Sequence, residues 1–262
     1  MVKRILYILL AIALCCGCEV IDENNRLIPV PVHEQARTHV LIEYTGFRCV
    51  NCPEAAEVAE DLQQIYGDRL IVIAMHPASN PFTQGKYDYT CPAADSCYLF
   101  MGGTAATPFP TGNIDIVPDE NDFFLAPAEW GGQLHQLMAD SLAPRLTISE
   151  AVYQPATRTV SVACVTERPQ DCSLAVWLTE DSVMGAQAMP DGSVNMNYMH
   201  RHILRTSAFD SPWGIIPAND IEKVSFSLPE GCNPDNCRVI ALLLDSNNHR
   251  IRNAYETNLH SD

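Results

Sequence analysis

Hydrophobic and polar positions along the chain fall into two regimes that meet near Pro144. Up to Ala143, short apolar runs alternate with stretches of helical spacing. His39–Tyr44 reads as a strand, and Pro53–Tyr66 as an amphipathic helix with Ala56, Ala59, Leu62 and Ile65 on one face. Arg69–His76 is a near-continuous apolar strand of the kind buried on both faces. Residues 77–92 form a long connection, and 93–101 a short helix. Gly112–Val117 is then a strand, and Glu129–Leu142 a helix with Trp130, Leu134, Leu137 and Met138 inward. Strands alternating with helices predict a layered α/β domain. Beyond Pro144 the period becomes two, as in Thr159-Val-Ser-Val-Ala-Cys and Val224-Ser-Phe-Ser-Leu. Strands are predicted at 145–153, 158–166, 172–180, 198–207, 221–228, 237–245 and 250–258. Short strands separated by turn signals predict an all-β domain, a sandwich of immunoglobulin-like type.

A different pattern stands ahead of both regimes. Lys3 and Arg4 precede an apolar run, Ile5 to Leu14, too short for the roughly 20 residues that cross a bilayer. It reads as the core of a secretory signal peptide. Cys15-Cys16-Gly17-Cys18 follows. A small residue just before a cysteine is what lipoprotein processing requires, so Cys18 is expected to be the lipidated first residue of the mature chain. A plain leader cleaved nearby is the alternative, because Cys15 stands where an aliphatic residue is usual. Several acyl chains on Cys18 would anchor the protein to a membrane surface, where one alone binds marginally. The expected organisation is a leader over 1–17, a polar tether over 18–36, the α/β domain over 37–143 and the sandwich over 144–262.

The formal charge is −16, and loss of Lys3 and Arg4 with the leader makes it −18. Such a surface repels phosphate backbones, which argues against nucleic-acid binding. It is also repelled by anionic lipid, which favours a tether over adsorption. The mature chain would open on the modestly acidic stretch Cys18-Glu-Val-Ile-Asp-Glu-Asn-Asn.

The chain has eleven cysteines, and those after Cys18 form four close pairs. Such usage fits an oxidising compartment. Cys91–Cys97, Cys164–Cys172 and Cys232–Cys237 are expected to be structural disulfides, each contributing roughly 2–3 kcal/mol through its short loop. Cys164–Cys172 would close a hairpin around Arg168-Pro169, and Cys232–Cys237 the loop Asn233-Pro-Asp-Asn. Metal binding would need two pairs to converge, and no histidine flanks them at zinc-like spacing, so no metal is expected. No cofactor is expected either, since no Gly-rich phosphate loop stands in the right context.

The fourth pair carries candidate chemistry. Val40-Leu-Ile-Glu-Tyr-Thr-Gly-Phe-Arg-Cys49-Val-Asn-Cys52-Pro53 runs from a strand through a turn into a helix. Two sulfurs at a helix N-terminus meet unpaired N–H groups and the positive end of the helix dipole, which stabilise a thiolate. A thiolate is the nucleophile of thiol–disulfide exchange. Glu43, on the preceding strand, is placed to sit behind the pair and accept the proton of Cys52. Phe109-Pro110-Thr111 precedes a strand after the long connection, and a cis proline there would lie against the cysteines and offer backbone to a substrate.

Residues 39–142 resemble a thioredoxin-fold domain in the order of Glu43, Cys49-x-x-Cys52-Pro53 and Pro110. The resemblance implies that Cys49 attacks, that Cys52 resolves the mixed disulfide, and that Pro110, or failing it Pro108, is the cis proline. The usual tryptophan before the first cysteine is Arg48 here; its charge would lower the thiol pKa, while an apolar surface facing substrate is lost. The whole chain is similar to a narrower group, the outer-membrane-protein-related lipoproteins of Bacteroidota, of roughly 28 kDa. Glu43-Tyr-Thr-Gly-Phe-Arg-Cys-Val-Asn-Cys-Pro and Tyr198-Met-His-Arg-His-Ile-Leu-Arg205 with Trp213-Gly214 carry that similarity. It implies outer-membrane attachment and a thioredoxin-like fold, and supplies no settled activity.

Three further features have a functional and a plainer reading. His200 and His202 alternate, so on one strand they would share a face and offer two metal ligands, or simply be exposed. His76 ends a buried strand at the edge where α/β sites gather, or is a structural histidine. Asn80–Tyr89 is a recognition loop over the cysteines, or a long insert stiffened by Cys91–Cys97. Two functions follow: a membrane-anchored thiol–disulfide oxidoreductase acting on protein thiols and disulfides, or a surface interaction protein of the outer membrane, an adhesin or receptor component, with a structural cysteine pair.

Overall fold

In the computed structural model, residues 34–118, 122–140, 142–167 and 171–261 are described. The expected leader, Cys18, most of the tether and the Arg168-Pro169 turn lie outside them. The apolar run of residues 39–44 forms β2 (His39–Tyr44), and that of 70–75 forms β3 (Leu70–Met75), every residue of each buried. They pair in parallel, from His39 opposite Leu70 to Tyr44 opposite Met75. Both faces of this pair are covered, which is why the runs lack alternation. On one face Leu41, Leu70 and Val72 pack with Ala55 and Ala59 of α1 (Cys52–Tyr66) and with Trp130 and Leu134 of α3 (Pro127–Leu137). On the other, Val40, Ile42, Tyr44, Ile71, Ile73 and Met75 join a second cluster with Ala94, Cys97 and Tyr98 of α2 (Pro92–Phe100).

β4 (Thr111–Ile114) runs antiparallel to β2. The strand expected over Gly112–Val117 stops at Ile114 because Asp115 and Ile116 both turn to φ 56°. That turn delivers the Asp115 carboxylate to the Val40 N–H at 2.8 Å, the His39 ring at 2.7 Å and the Arg37 guanidinium at 2.9 Å. Arg37 also donates to the Ile251 carbonyl at 2.8 Å, so one buried cluster ties together segments far apart in sequence. α3 starts earlier and ends sooner than the expected Glu129–Leu142. The Glu129 side chain caps it by accepting from the Ala126 N–H at 2.8 Å. The chain after it forms β5 (Leu142–Pro144), which pairs with β1 (Glu34–Ala36).

Most strands after Pro144 fall close to their predicted bounds: β6 (Leu146–Gln154), β7 (Thr159–Thr166), β8 (Cys172–Glu180), β12 (Ile221–Ser227), β13 (Cys237–Asp245) and β14 (Ile251–Asn258). Residues 198–207 differ. They belong to two strands, β10 (Val194–His200) and β11 (Ile203–Ser207), separated at Arg201-His202, where His202 takes φ 55°. β10 pairs with β9 (Val183–Ala188), a strand the pattern does not announce.

The expected boundary at Pro144 does not separate two sheets. β11 pairs antiparallel with β8 and parallel with β3, at Ile203 opposite Ala74, with the Ala74 N–H donating to the His202 carbonyl at 2.8 Å. One seven-stranded sheet results, in the order β14-β13-β8-β11-β3-β2-β4, and the described residues form one compact unit. A four-stranded sheet, β12-β7-β6-β15 with β15 at His260–Ser261, packs on it through Val160, Val162, Val176, Leu178, Val239, Ala241 and Leu243. The fold is mixed α/β, mostly strand.

Candidate functional site

Cys49 and Cys52 form a disulfide. Cys49 sits in the turn between β2 and α1, its N–H donating to the Gly46 carbonyl at 3.0 Å. Cys52 is the first residue of α1, with Pro53 next, where a missing N–H costs nothing. Phe82 secures the turn: its carbonyl accepts from the Arg48 N–H at 3.1 Å, and its ring stacks on Phe109 at 6.0 Å. The Phe109–Pro110 bond is cis, as expected for Pro110 rather than Pro108. Phe47 meets the rings of Tyr87 and Tyr89 edge-on at 5.5 and 6.4 Å, so the Asn80–Tyr89 connection does lie against the motif. Arg48 is exposed and reaches the Gln84 carbonyl at 3.4 Å.

The pair is covered rather than open: each cysteine is only 2% exposed. The cover is the β9–β10 hairpin. Gln187 Nε2 donates to the Cys49 carbonyl at 2.8 Å, and the Ala188 N–H donates to the Phe47 carbonyl at 2.8 Å. Gly185 lets Tyr89 come against β9, because a Cβ there would collide with the Tyr89 hydroxyl. Sequence reasoning missed Gln187. A glutamine on an unannounced strand gives no local signal, since its partners lie 138 residues away.

Behind Cys52 lies a chamber of about 40 Å³ lined by Glu43, Thr45, Cys52, Glu60, His76, Gln187, Tyr198, His200, Arg201 and His202, with small residues Ala56, Ala59 and Ala74. Glu43 thus shares the chamber with Cys52. Burial raises its pKa from 4.5 to about 8, a Thr45 hydrogen bond opposing and the Glu60 charge adding. It stays protonated at neutral pH. His76, two residues beyond Ala74, opposes Glu43's neighbourhood on the same face of the sheet. Burial lowers its pKa to about 3, with His200 and Arg205 adding. His200 is lowered to about 4 by burial, against a hydrogen bond to the Ala186 carbonyl. Glu43 Oε1 and both ring nitrogens of His76 have no hydrogen-bond partner within the protein.

His200 and His202 do not share a strand face. The turn at His202 parts them, and His202 instead faces Asp181, whose carboxylate accepts from the His202 N–H at 2.7 Å. Among the described residues, no group of three or more His, Cys, Asp or Glu side chains is placed to hold a metal ion.

The other six cysteines are buried, unbonded thiols, in place of the expected disulfides Cys91–Cys97, Cys164–Cys172 and Cys232–Cys237. The expected hairpin between Cys164 and Cys172 is not formed: β7 and β8 lie in different sheets, with both sulfurs in the apolar layer between them. Burial pushes the Cys91 thiol up to about 11 and Cys164 to about 12. Cys232 alone is shifted down, by a hydrogen bond from Cys237 and by Arg205, whose Nε lies 3.1 Å from its sulfur.

Among the described residues no helix is long and apolar enough to cross a membrane. No curated protein matches the chain. Among solved structures, a protein from Agrobacterium tumefaciens is similar in fold, with a TM-score of 0.53 at 12% identity over 85% of this chain and 94% of that one. A domain of the outer membrane lipoprotein Omp28 from Porphyromonas gingivalis matches with a TM-score of 0.31 at 15% identity, over 45% of this chain and 97% of that one. The family model described as outer membrane protein Omp28 matches residues 103–261, a stretch that excludes the Cys49–Cys52 motif but spans more than half the chain, and the protein therefore belongs to the Omp28 outer membrane protein family.

Proposed function

We propose that this Omp28-family protein is a membrane-anchored lipoprotein, held through Cys18, whose Cys49–Cys52 site exchanges thiols and disulfides with protein substrates in the manner of a thioredoxin-like domain. The observation that carries the reading is a protonated, buried Glu43 sharing a chamber with Cys52. A carboxylic acid there supplies the proton that a departing Cys52 thiolate needs. The order β2, α1, β3, α2, β4, α3 and the cis Phe109–Pro110 bond support it. In the oxidised state, an external thiolate attacks Cys49 Sγ and the Cys49–Cys52 bond breaks. Cys52 takes the proton of Glu43, and a second external thiol releases Cys49 as the external disulfide forms. Two thiols are oxidised and one disulfide is reduced.

The concealment of both cysteines favours a second reading, in which the disulfide is structural and the protein binds a surface partner. Dithiothreitol reduction of insulin disulfides, followed with and without the protein, separates the two. Acceleration by the protein that disappears in Cys49→Ser supports exchange; no acceleration supports the structural pair.

A further inference from the structure

The chamber holds more polar machinery than one proton donor requires. Glu43 and His76 are 3% and 2% exposed, yet Glu43 Oε1 and both His76 ring nitrogens lack a protein partner. Unpaired buried polar atoms are costly, and native proteins satisfy them with water where there is room. A site needs about 10–15 Å³ to hold one water, so about 40 Å³ admits two or three. The rings then follow one another: His76 lies 5.3 Å from Tyr89 and 6.3 Å from His200, and His200 lies 4.8 Å from Tyr89 and 4.9 Å from Tyr198. Tyr198, half-buried, and the exposed Arg201 also line the chamber, with Tyr198 close enough to Glu43 for their charges to interact.

We propose that the chamber is a hydrated proton path in which His76 and His200 carry protons between Glu43 and solvent, so that the C-terminal half of the chain, through His200, supplies a working part of the cysteine site. The proposal rests on the exchange reading. After Glu43 has given its proton to Cys52, its carboxylate is buried and unpaired, and it must be reprotonated before the next cycle. A neutral imidazole does this at His76, whose two nitrogens both lack a protein partner, by accepting a proton on one while releasing one from the other and ending neutral again. At His200, Nε2 donates to the Ala186 carbonyl, so Nδ1 is the atom that faces the waters and passes a proton along them. Burial keeps both rings neutral at physiological pH. The charged and titratable groups facing the path are Glu57 and Glu60 from α1, Tyr89 from the connection, Tyr198, Arg201 and His202 from β10 and the turn after it, and Arg205 from β11. Neither histidine hydrogen-bonds to the reacting sulfurs, so both are positioning and relay residues.

The test is the pre-steady-state rate of Cys49–Cys52 reduction by dithiothreitol over pH 6–9, corrected for reductant thiolate, in wild type, His76→Phe, His200→Phe, His200→Asn and Glu43→Gln. Expected are a break near the Glu43 pKa in wild type and its loss in Glu43→Gln. Both Phe variants should keep the break with multiple-turnover rates roughly tenfold lower, and the Cys49–Cys52 midpoint potential should be unchanged. Wild-type turnover in the His76 and His200 variants, with Glu43→Gln still defective, overturns the relay alone. An unaffected Glu43→Gln overturns Glu43 as the proton donor and the path with it, whereas no acceleration of insulin reduction by the wild-type protein overturns the exchange reading beneath it. If the Phe variants fail to fold, His200→Asn and an experimental count of chamber waters in wild type decide: two or more ordered waters support the path, and a dry chamber overturns it.

Discussion

Replacing Glu43 with glutamine isolates the energetic consequence of burying an acid behind the cysteines. The carboxyl is fully buried, and desolvation moves its pKa from 4.5 in the unfolded chain to about 8 in the fold. Between those values the native state keeps a proton that the unfolded state has lost. The stability associated with this group is therefore fully present below pH 4.5 and is lost as pH rises through about 8. Each pH unit within the window removes about 1.4 kcal/mol, so the loss is about 3 kcal/mol at pH 7 and about 5 kcal/mol by pH 9. Glutamine has nearly the same shape and no proton to lose. The stability of Glu43→Gln relative to wild type should then rise by about 1.4 kcal/mol per pH unit from pH 5 to 8 and level off. His76 and His200 act in the opposite sense: their contribution is present above pH 6.5 and is lost as pH falls toward their lowered values of about 3 and 4. Both proteins share them, so they cancel in the difference. Urea denaturation followed by tryptophan fluorescence at each pH, with Cys49–Cys52 kept oxidised, measures the quantity. A difference that does not change with pH refutes the buried, protonated acid.

Three other substitutions probe the elements that hold the site. Gln187→Ala removes the side chain that bridges the β9–β10 hairpin to the Cys49 carbonyl. With about 1 kcal/mol of hydrogen bonding lost, reduction of the disulfide by dithiothreitol should quicken roughly fivefold, and an unchanged rate would show that the hairpin does not limit access. Asp115→Ala leaves the Val40 N–H and the His39 ring without their buried partner, while Arg37 keeps Asp140 and the Ile251 carbonyl, and should cost about 3 kcal/mol in urea denaturation. Gly112→Ala places a Cβ 2.7 Å from the Ile42 carbonyl oxygen and 2.8 Å from the Trp130 ring. It should cost about 1–3 kcal/mol through overpacking, seen as a lower melting temperature.

Much of this molecule is local in origin and was legible in the sequence. β8 and β13 begin and end where the apolar runs do, because their both-sided burial leaves little choice of boundary. Glu43, Cys49 and Cys52 stand out by their order and spacing, and Glu43 and Cys52 line one chamber; the choice of Pro110 over Pro108 came from the thioredoxin resemblance, and the Phe109–Pro110 bond is cis. What escaped is what depends on distant pairing. The parallel contact of β11 with β3 joins positions 203 and 74, and nothing near Ile203 signals that it completes a sheet begun before Pro144. β9 was missed because Gly185, Ala186 and Ala188 carry no strong alternation. Its role is set by what it covers, the Cys49 turn. The His200 and His202 alternation misled for a related reason: period two holds only while the strand continues, and His202 ends it with a left-handed turn. His76 left a readable trace, since it continues the face of β3 that Val72 and Ala74 present toward Glu43.

The central claim is that Cys49–Cys52 cycles between disulfide and dithiol despite its cover. Equilibration of the full chain in thiol buffers of graded potential, followed by differential alkylation and mass spectrometry, reads that pair separately from the other six cysteines. The account predicts a midpoint between about −120 and −270 mV, the range of working exchange proteins, whereas a pair still oxidised below about −300 mV would be structural and would contradict it.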